Sequence, residues 1–359
     1  MKKIFLAATC AIIFVMSACT GNVATQQAAQ RWSEERANDW YEASPWMVGS
    51  DYIPANAVNQ IEMWYKDTYS PAQIDKELGW AEGLGFNSMR VFLSSVVYEN
   101  DPEGMKERID NFLSICRKHG ITPLFAIFDD CWNAESEYGA QPAPKPGVHN
   151  SGWLRDPSDS ARKDTLTLYP RMERYVKDLL TTFGQDDRVL LWDLWNEPGN
   201  SGYGCSTLPA LKKVFQWARE ANPSQPLTCG VWNFSDDFAP LNAFQLENSD
   251  VISYHTYAPL DAHSTMAKYL KVFNRPLFCT EYMARPASLF KDIMPMLKKE
   301  KIGAYNWGLV SGKTNTIFAW NTPLPDQVEP DLWFCDIFRQ NGTPFDQAEI
   351  DLIKSLTAK

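Results

Sequence analysis

The stretch VLLWDLWNEPGN, residues 189–200, shows most clearly how this chain folds. Its apolar residues are interrupted only by Asp193 and end at Asn196, Glu197 and Pro198. An apolar run of this length that stops at turn-forming residues is typical of a strand buried on both faces of a parallel sheet. A carboxylate beside such a core is costly unless it is paired or used, so Glu197 is a candidate functional residue.

Similar apolar runs recur along the chain and alternate with stretches of helical periodicity. We predict eight strands, at residues 45–53, 86–93, 121–128, 189–196, 226–232, 251–258, 275–283 and 304–310. Helices are predicted between them, for example over 105–120 and 208–223, with a last helix over 344–356. This order predicts an α/β fold, a single (β/α)8 TIM barrel with extended βα loops. The alternative is an open doubly wound sheet, although no glycine-rich phosphate turn follows the first strand.

Composition limits the function. The chain has 359 residues and 45% hydrophobic content, which suits one large core better than two enzyme domains. Its net charge of -10, without any run of Lys or Arg, argues against nucleic acid as a partner, because phosphate contacts need a basic stripe. The cysteines have no CxxC spacing, so neither a metal site nor a cofactor is predicted. The protein is predicted to be a monomer.

The N-terminus has the pattern of an export signal. Lys2 and Lys3 precede an apolar stretch, and the small residues Ser17 and Ala18 precede Cys19. This pattern resembles the bacterial lipobox, so we predict a lipoprotein signal peptide over 1–18, lipidation of Cys19 and a flexible tether over 19–40. The expected location is a bacterial membrane, on the periplasmic side or at the cell surface, with the lipid as the membrane contact. An ordinary secreted protein cleaved nearby is the alternative.

Polar residues gather at the predicted C-terminal strand ends, where barrel enzymes carry their chemistry. They are Arg90 on strand 2, Asn196 and Glu197 on strand 4, His255 and Tyr257 on strand 6, Glu281 on strand 7 and Trp307 on strand 8. Two glutamates from separate strands suggest the carboxylate pair that hydrolyses glycosides, one acid and one ionised group. Asp193, inside strand 4, is expected to be structural.

These residues, in this order along most of the chain, resemble the clan A glycoside hydrolases, most nearly the cellulase-like family 5. The resemblance implies a catalytic domain over 41–359 that cleaves a β-linked oligo- or polysaccharide with retention of configuration. It implies Glu197 as general acid/base and Glu281 as nucleophile, with carboxyl groups about 5 to 5.5 Å apart. By the same resemblance Asn196 binds the sugar 2-hydroxyl, Arg90 and Tyr257 hold the nucleophile, and His255 and Trp307 belong to sugar subsites.

The chain departs from family 5 after strand 3. The family usually carries a histidine there, whereas this chain has Asp129, Asp130 and Trp132, followed by a long loop to about residue 168. Long loops are often binding elements, and the loop tryptophans are candidate sugar platforms; they are Trp132, Trp153, Trp232 and Trp320. Most of the cysteines are expected to be buried thiols, and a disulfide between Cys131 and Cys205, which follow neighbouring strands, is a further hypothesis.

Several alternatives remain open at the level of sequence. One is a non-catalytic carbohydrate-binding lipoprotein on a degenerate barrel. Another is an esterase, although the chain contains no GxSxG elbow. Within the glycosidase interpretation, the sequence does not choose among β-glucan, β-mannan, xylan and β-galactoside substrates, or between endo and exo action.

Overall fold

The computed structural model describes residues 30–358, and its centre is a parallel eight-stranded sheet. The strands are β1 Val48–Asp51, β2 Ser88–Phe92, β3 Leu124–Ala126, β4 Trp192–Asp193, β5 Leu227–Thr228, β6 Ile252–His255, β7 Leu277–Tyr282 and β8 Gly303–Trp307. Each lies inside a predicted segment or begins one residue before it. The strand order β5-β4-β3-β2-β1-β8-β7-β6 is sequential around the sheet.

The sheet closes on itself. The first and last strands pair in parallel, with Asp51 opposite Trp307. The ends of the strand order meet where Val231 forms a parallel bridge with Tyr254 and donates its amide hydrogen to the Ser253 carbonyl. The predicted (β/α)8 barrel is therefore confirmed, and the open doubly wound sheet was the wrong alternative.

Helices surround the barrel. They are α1 Glu34–Glu42, α2 Gln60–Trp64, α3 Pro71–Gly83, α4 Ser95–Asn100, α5 Pro102–Lys118, α6 Asp159–Arg162, α7 Thr165–Phe183, α8 Leu208–Ala221, α9 Ala239–Asn248, α10 Leu260–Leu270, α11 Phe290–Lys299 and α12 Gln347–Thr357. The α5 helix begins at Pro102, three residues before its predicted start, with Asp101 capping the Gly104 amide and Pro102 in the first turn. The α8 helix ends at Ala221, and the next residue, Asn222, has a left-handed φ of 52° and is followed by Pro223.

The predicted tether over 19–40 extends too far into the folded domain. Residues 34–40 lie in α1, and Trp32 before it is buried at 5% exposure. Arg31 donates hydrogen bonds to the carbonyls of Leu246 and Ser249 at 2.7 and 2.8 Å. Buried aromatic area and long-range hydrogen bonds attach this segment to the barrel. The signal peptide, Cys19 and the tether up to residue 29 lie outside the described residues.

Large aromatic side chains fill much of the interior. Of the 14 tryptophans in the chain, Trp64, Trp192, Trp195 and Trp333 are essentially inaccessible to solvent. The part of the chain that the structure describes has no helix long and apolar enough to span a membrane.

Candidate active site

A cleft of about 440 Å³ opens at the C-terminal ends of the strands. Both glutamates singled out by the sequence, Glu197 after β4 and Glu281 on β7, line it. Aromatic side chains at the strand ends and in the loops after them form its walls. Those rings belong to Trp132, Trp153, Trp232, Tyr257, Trp307 and Trp320. A concave site with mostly apolar walls and a few convergent polar groups is the usual form of a binding site for a small organic group.

The two glutamates lie close together. One carboxylate oxygen of Glu197, one of Glu281 and a ring nitrogen of His255 all lie within 4.8 Å of one another. By distance alone these three side chains could hold a metal ion. The Arg90 guanidinium already contacts Glu281 at 2.9 Å, however, and its positive charge opposes a second cation there. The spacing suits two carboxyl groups that act on one bond between them.

Two donors hold the carboxylate of Glu281. Arg90 donates to Oε1 at 2.9 Å and the Tyr257 hydroxyl donates to Oε2 at 2.8 Å. Burial raises the pKa of Glu281 above its ordinary value, while these two contacts act in the opposite direction. Both oxygens of Glu281 thus accept hydrogen bonds from donors that favour the ionised form of its carboxyl group.

Glu197 has a different environment, without a cationic side chain in hydrogen-bond contact among the described residues. His255 Nδ1 lies 2.9 Å from Oε1, while Asn200 donates to Oε2 at 2.6 Å and the Cys131 thiol donates to it at 3.3 Å. Burial raises the pKa of Glu197 and lowers that of His255 to about 4, so the imidazole is neutral. Burial thus raises the pKa of both glutamates, and Glu197 differs from Glu281 in that its carboxyl group has no arginine contact in the part of the chain that the structure describes.

The backbone directs Glu197 into the cleft in an unusual conformation. Its φ of 43° lies in the left-handed region, which side chains other than glycine seldom adopt. Pro198 follows, and its carbonyl accepts a hydrogen bond from Trp232 Nε1 at 3.0 Å. Such strain is concentrated at functional sites.

Arg90 is the centre of a buried charge network. It is fully buried and contacts Asp51 at 2.8 Å, Asp193 at 2.8 Å and Glu281 at 2.9 Å, and it donates to Asn196 Oδ1 at 2.7 Å. Asp193 therefore has the structural role that its position predicted. Sequence reasoning missed Asp51, although its place at the end of β1 was a usable signal.

The unusual segment after β3 takes part in the site. Asp129 accepts hydrogen bonds from Asn196 Nδ2 at 2.9 Å and from Trp153 Nε1 at 2.7 Å. The predicted disulfide is wrong, since Cys131 and Cys205 are both free. The thiol of Cys131 contacts Glu197, whereas that of Cys205 donates to the Asp237 carbonyl at 3.1 Å.

The predicted tryptophans reach the cleft, and several other residues join them. Trp132, at 36% exposure, and Trp232 line it as expected, and Trp307 lines it while remaining 8% exposed. Sequence reasoning missed five further polar lining residues, namely His149, Asn150, Asn200, Ser201 and Asn321. Asn200 and Ser201 had the clearest signal, since they follow Glu197 by three and four residues on the same loop.

Substituting Asn200 should shift the pH dependence of activity. The Asn200 hydrogen bond stabilises ionised Glu197, so Asn200→Ala raises the pKa of Glu197 further above its ordinary value. An acid with a higher pKa stays protonated to higher pH. The alkaline limb of kcat/KM for an aryl β-glycoside should therefore move to higher pH.

The matched control for Asn200→Ala is Asn321→Gly, which removes another amide from the same cleft and suits the φ of 54° at that position. Its pH profile should keep the wild-type alkaline limb. If the alkaline limb of the kcat/KM profile of Asn200→Ala stays in place or moves to lower pH, the role given to this hydrogen bond is contradicted.

A closed parallel barrel whose strand ends present two carboxyl groups in an aromatic cleft is the arrangement of a glycoside hydrolase. The family described as cellulase (glycosyl hydrolase family 5) matches residues 53–311. The chain belongs to this family. No curated protein sequence matches it.

Solved structures share the barrel at low sequence identity. An exo-β-1,4-mannosidase from Opitutaceae bacterium strain TAV5 has a TM-score of 0.58 and 18% identity over 87% of this chain; the match spans 59% of that enzyme. A GH5_18 protein from Streptomyces cattleya in complex with GlcNAc has a TM-score of 0.61 and 11% identity, with 86% of this chain and 79% of that one covered. An endo-β-1,4-mannanase from Thermotoga petrophila has a TM-score of 0.54 and 15% identity, with 86% of this chain and 76% of that one covered.

Proposed function

We propose that the protein hydrolyses β-linked glycosides with retention of configuration, with Glu281 as nucleophile and Glu197 as acid/base. The observation that supports this most directly is the carboxylate pair, whose nearest approach is within 4.8 Å. Retaining enzymes have carboxyl groups about 5 to 5.5 Å apart, whereas inverting enzymes need about 6.5 to 9.5 Å to admit a water. The unequal hydrogen-bonding of the two glutamates supports the assignment of roles.

In the first step, a Glu281 oxygen attacks the anomeric carbon while the bond to the leaving oxygen breaks. The proton on Glu197 passes to that oxygen, and the first alcohol product leaves. Arg90 and Tyr257 keep Glu281 ionised and oriented before the attack. The glycosyl–Glu281 ester is neutral, and Glu197 is now a carboxylate.

In the second step, Glu197 removes a proton from water, and the water oxygen attacks the anomeric carbon. The bond to Glu281 breaks, so the nucleophile regains its charge and Glu197 its proton. Two inversions give net retention. The neutral His255 donates to Glu197 Oε1 through Nδ1 and orients the carboxyl group in both steps.

We propose β-1,4-linked hexose chains as the substrate class, with β-mannosides as the first to test. The resemblance in fold to an exo-β-1,4-mannosidase at 18% identity and an endo-β-1,4-mannanase at 15% identity supports this choice. A non-catalytic binder would not need a strained acid placed opposite an ion-paired carboxylate.

The stereochemistry of the first product tests the mechanism. We expect proton NMR of freshly cleaved aryl β-mannoside, or aryl β-glucoside if that is the better substrate, to show the β-anomer before mutarotation. An α-anomeric first product would contradict the double displacement. Tight oligosaccharide binding without turnover of any aryl β-glycoside would favour the non-catalytic alternative.

We also propose that the protein is exported and anchored through a lipid on Cys19. The basic, apolar and small residues before Cys19 support this. Cys19→Ser expressed in a bacterial host should lose detergent-phase partitioning. Unchanged partitioning would contradict the anchor.

A further inference from the structure

The loops after β3 and β8 join to form a wall at one end of the cleft. Hydrogen bonds link the Asn150 amide to the Thr314 carbonyl at 2.7 Å and the Leu324 amide to the Gly147 carbonyl at 3.0 Å. Gly147 has a φ of 66°, and a Cβ there would lie 2.1 Å from the Leu324 carbonyl oxygen, so this contact requires glycine. We call residues 145–153 and 311–324 the loop wall.

The loop wall spans the neighbouring strands. In the sheet, β2 and β1 lie between β3 and β8. The contact between the loop after β3 and the loop after β8 therefore crosses the ends of β1 and β2. The loop after β1 is hydrogen-bonded to the loop wall, since Lys313 donates its amide hydrogen to the Ala55 carbonyl at 3.0 Å. Asn59 Nδ2 donates to the Gly152 carbonyl at 2.9 Å. Three βα loops therefore close this end of the site.

The loop wall contains two buried acceptors that have no hydrogen-bond partner among the described residues. His149 and Asn150 line the cleft with exposures of 3% and 1%. His149 Nδ1 lies 2.7 Å from the Phe318 carbonyl, which can only accept, so Nδ1 carries the hydrogen and the neutral ring leaves Nε2 as an acceptor. Neither His149 Nε2 nor Asn150 Oδ1 has a hydrogen-bond partner within residues 30–358. Buried acceptors without partners are costly, and a ligand hydroxyl would satisfy them.

Aromatic rings connect these acceptors with the nucleophile. Trp132 stacks on the His149 ring with centroids 5.5 Å apart, and Trp320 meets the same ring edge-on at 6.1 Å. Trp320 also packs against Tyr257, with ring centroids 4.7 Å apart, and Tyr257 holds Glu281. Ring faces beside hydroxyl-binding acceptors match a sugar, which has apolar faces and a rim of hydroxyl groups.

We propose that His149 and Asn150 form a subsite for the hydroxyl groups of a terminal, non-reducing sugar, so that the enzyme acts from a chain end. This inference rests on the proposed function. Trp320 of the loop wall packs on Tyr257, which contacts Glu281, and the wall closes this end of the cleft. We place the glycone toward the wall, so that its far end, the non-reducing end, meets the closed end of the cleft.

The test uses Asn150→Gly, because glycine suits the φ of 48° and the backbone bond to Thr314 remains possible. With reducing-end-labelled β-1,4-mannopentaose and cellopentaose, the wild type should remove a short product of one fixed length from the non-reducing end. Asn150→Gly should lower kcat/KM about tenfold, mainly through KM, which corresponds to the loss of one net hydrogen bond. A 4,6-O-benzylidene group on the terminal sugar should block cleavage.

A binding measurement separates this inference from the proposed function. In the Glu281→Ala background, Asn150→Gly should weaken pentaose binding by a similar factor in calorimetry. His149→Phe keeps a ring on which Trp132 can stack but removes the Nε2 acceptor, so it should also weaken pentaose binding. Lys145→Ala is the matched control, since its exposed side chain lies on the same loop outside the cleft lining.

The outcomes differ clearly. Internal cleavage from the first minutes, cleavage of the blocked pentaoses, or unchanged affinity in both variants would overturn the subsite while leaving the glycosidase assignment intact. Failure of the wild type to cleave any aryl β-glycoside or pentaose would overturn the proposed function, and chain-end cleavage with it.

Discussion

Glu281→Ala is expected to lower turnover of aryl β-glycosides by about four orders of magnitude or more, without loss of the fold. Removing the nucleophile leaves no group to form the glycosyl intermediate, and losses of this size are typical when a covalent catalyst is deleted. The measurement is kcat on the best aryl glycoside, with the thermal unfolding midpoint recorded in parallel. The control is Glu247→Ala, which removes an exposed glutamate on α9.

Glu197→Ala should behave differently from Glu281→Ala. A leaving group such as dinitrophenolate needs no proton, so glycosylation of Glu281 should remain fast and the intermediate should accumulate because water lacks its base. Azide should restore turnover and give a β-glycosyl azide. An α-azide, equal losses on good and poor leaving groups, or substantial activity in Glu281→Ala would contradict the roles assigned to the pair.

Arg90→Met should destabilise the protein by about 3–5 kcal/mol as well as inactivate it. Arg90 is fully buried and contacts Asp51, Asp193 and Glu281, so its loss leaves three buried carboxylates without their cation. Removing one partner of a buried ion pair has a cost of this size because the remaining charge stays desolvated. Urea unfolding monitored by tryptophan fluorescence measures the change in free energy.

An exposed ion pair provides the control for Arg90→Met. Arg117 pairs with Asp187 on the surface, where their side chains are 58% and 87% exposed, so Arg117→Met should leave the urea midpoint nearly unchanged. A loss below about 1 kcal/mol in Arg90→Met would show that the three carboxylates are protonated or hydrated in the native state, contrary to the network described here.

The barrel and the positions of the two glutamates could be predicted from the sequence because both depend on local patterns. Buried parallel strands require nearly continuous apolar runs, and the carboxyl ends of such strands meet at one rim. Knowing the strand ends was therefore enough to place Glu197 and Glu281 in one cleft. Strand lengths were overestimated: β4 is Trp192–Asp193 within the predicted 189–196, since apolar runs continue beyond the paired residues.

The contacts between distant segments could not be predicted in the same way. Residues 34–40 looked like a polar tether, yet Trp32 and Arg31 attach the segment to the barrel through partners more than 200 positions away. The Cys131–Cys205 prediction failed because neighbouring strand ends bring backbones together without setting the direction of each side chain. Cys131 instead points toward Glu197, where its thiol donates a hydrogen bond.

The sequence by itself determined the fold and placed the two glutamates at the ends of recognisable strands, and the family resemblance implied that Arg90 and Tyr257 contact Glu281. Only the tertiary structure decided what surrounds them. It brought Asp51 to Arg90, Asn200 to Glu197, and the loop of His149 and Asn150 against the loop after β8. Loop conformations depend on backbone dihedrals and long-range hydrogen bonds rather than on periodic patterns, so these side chains could be placed only once the chain had folded.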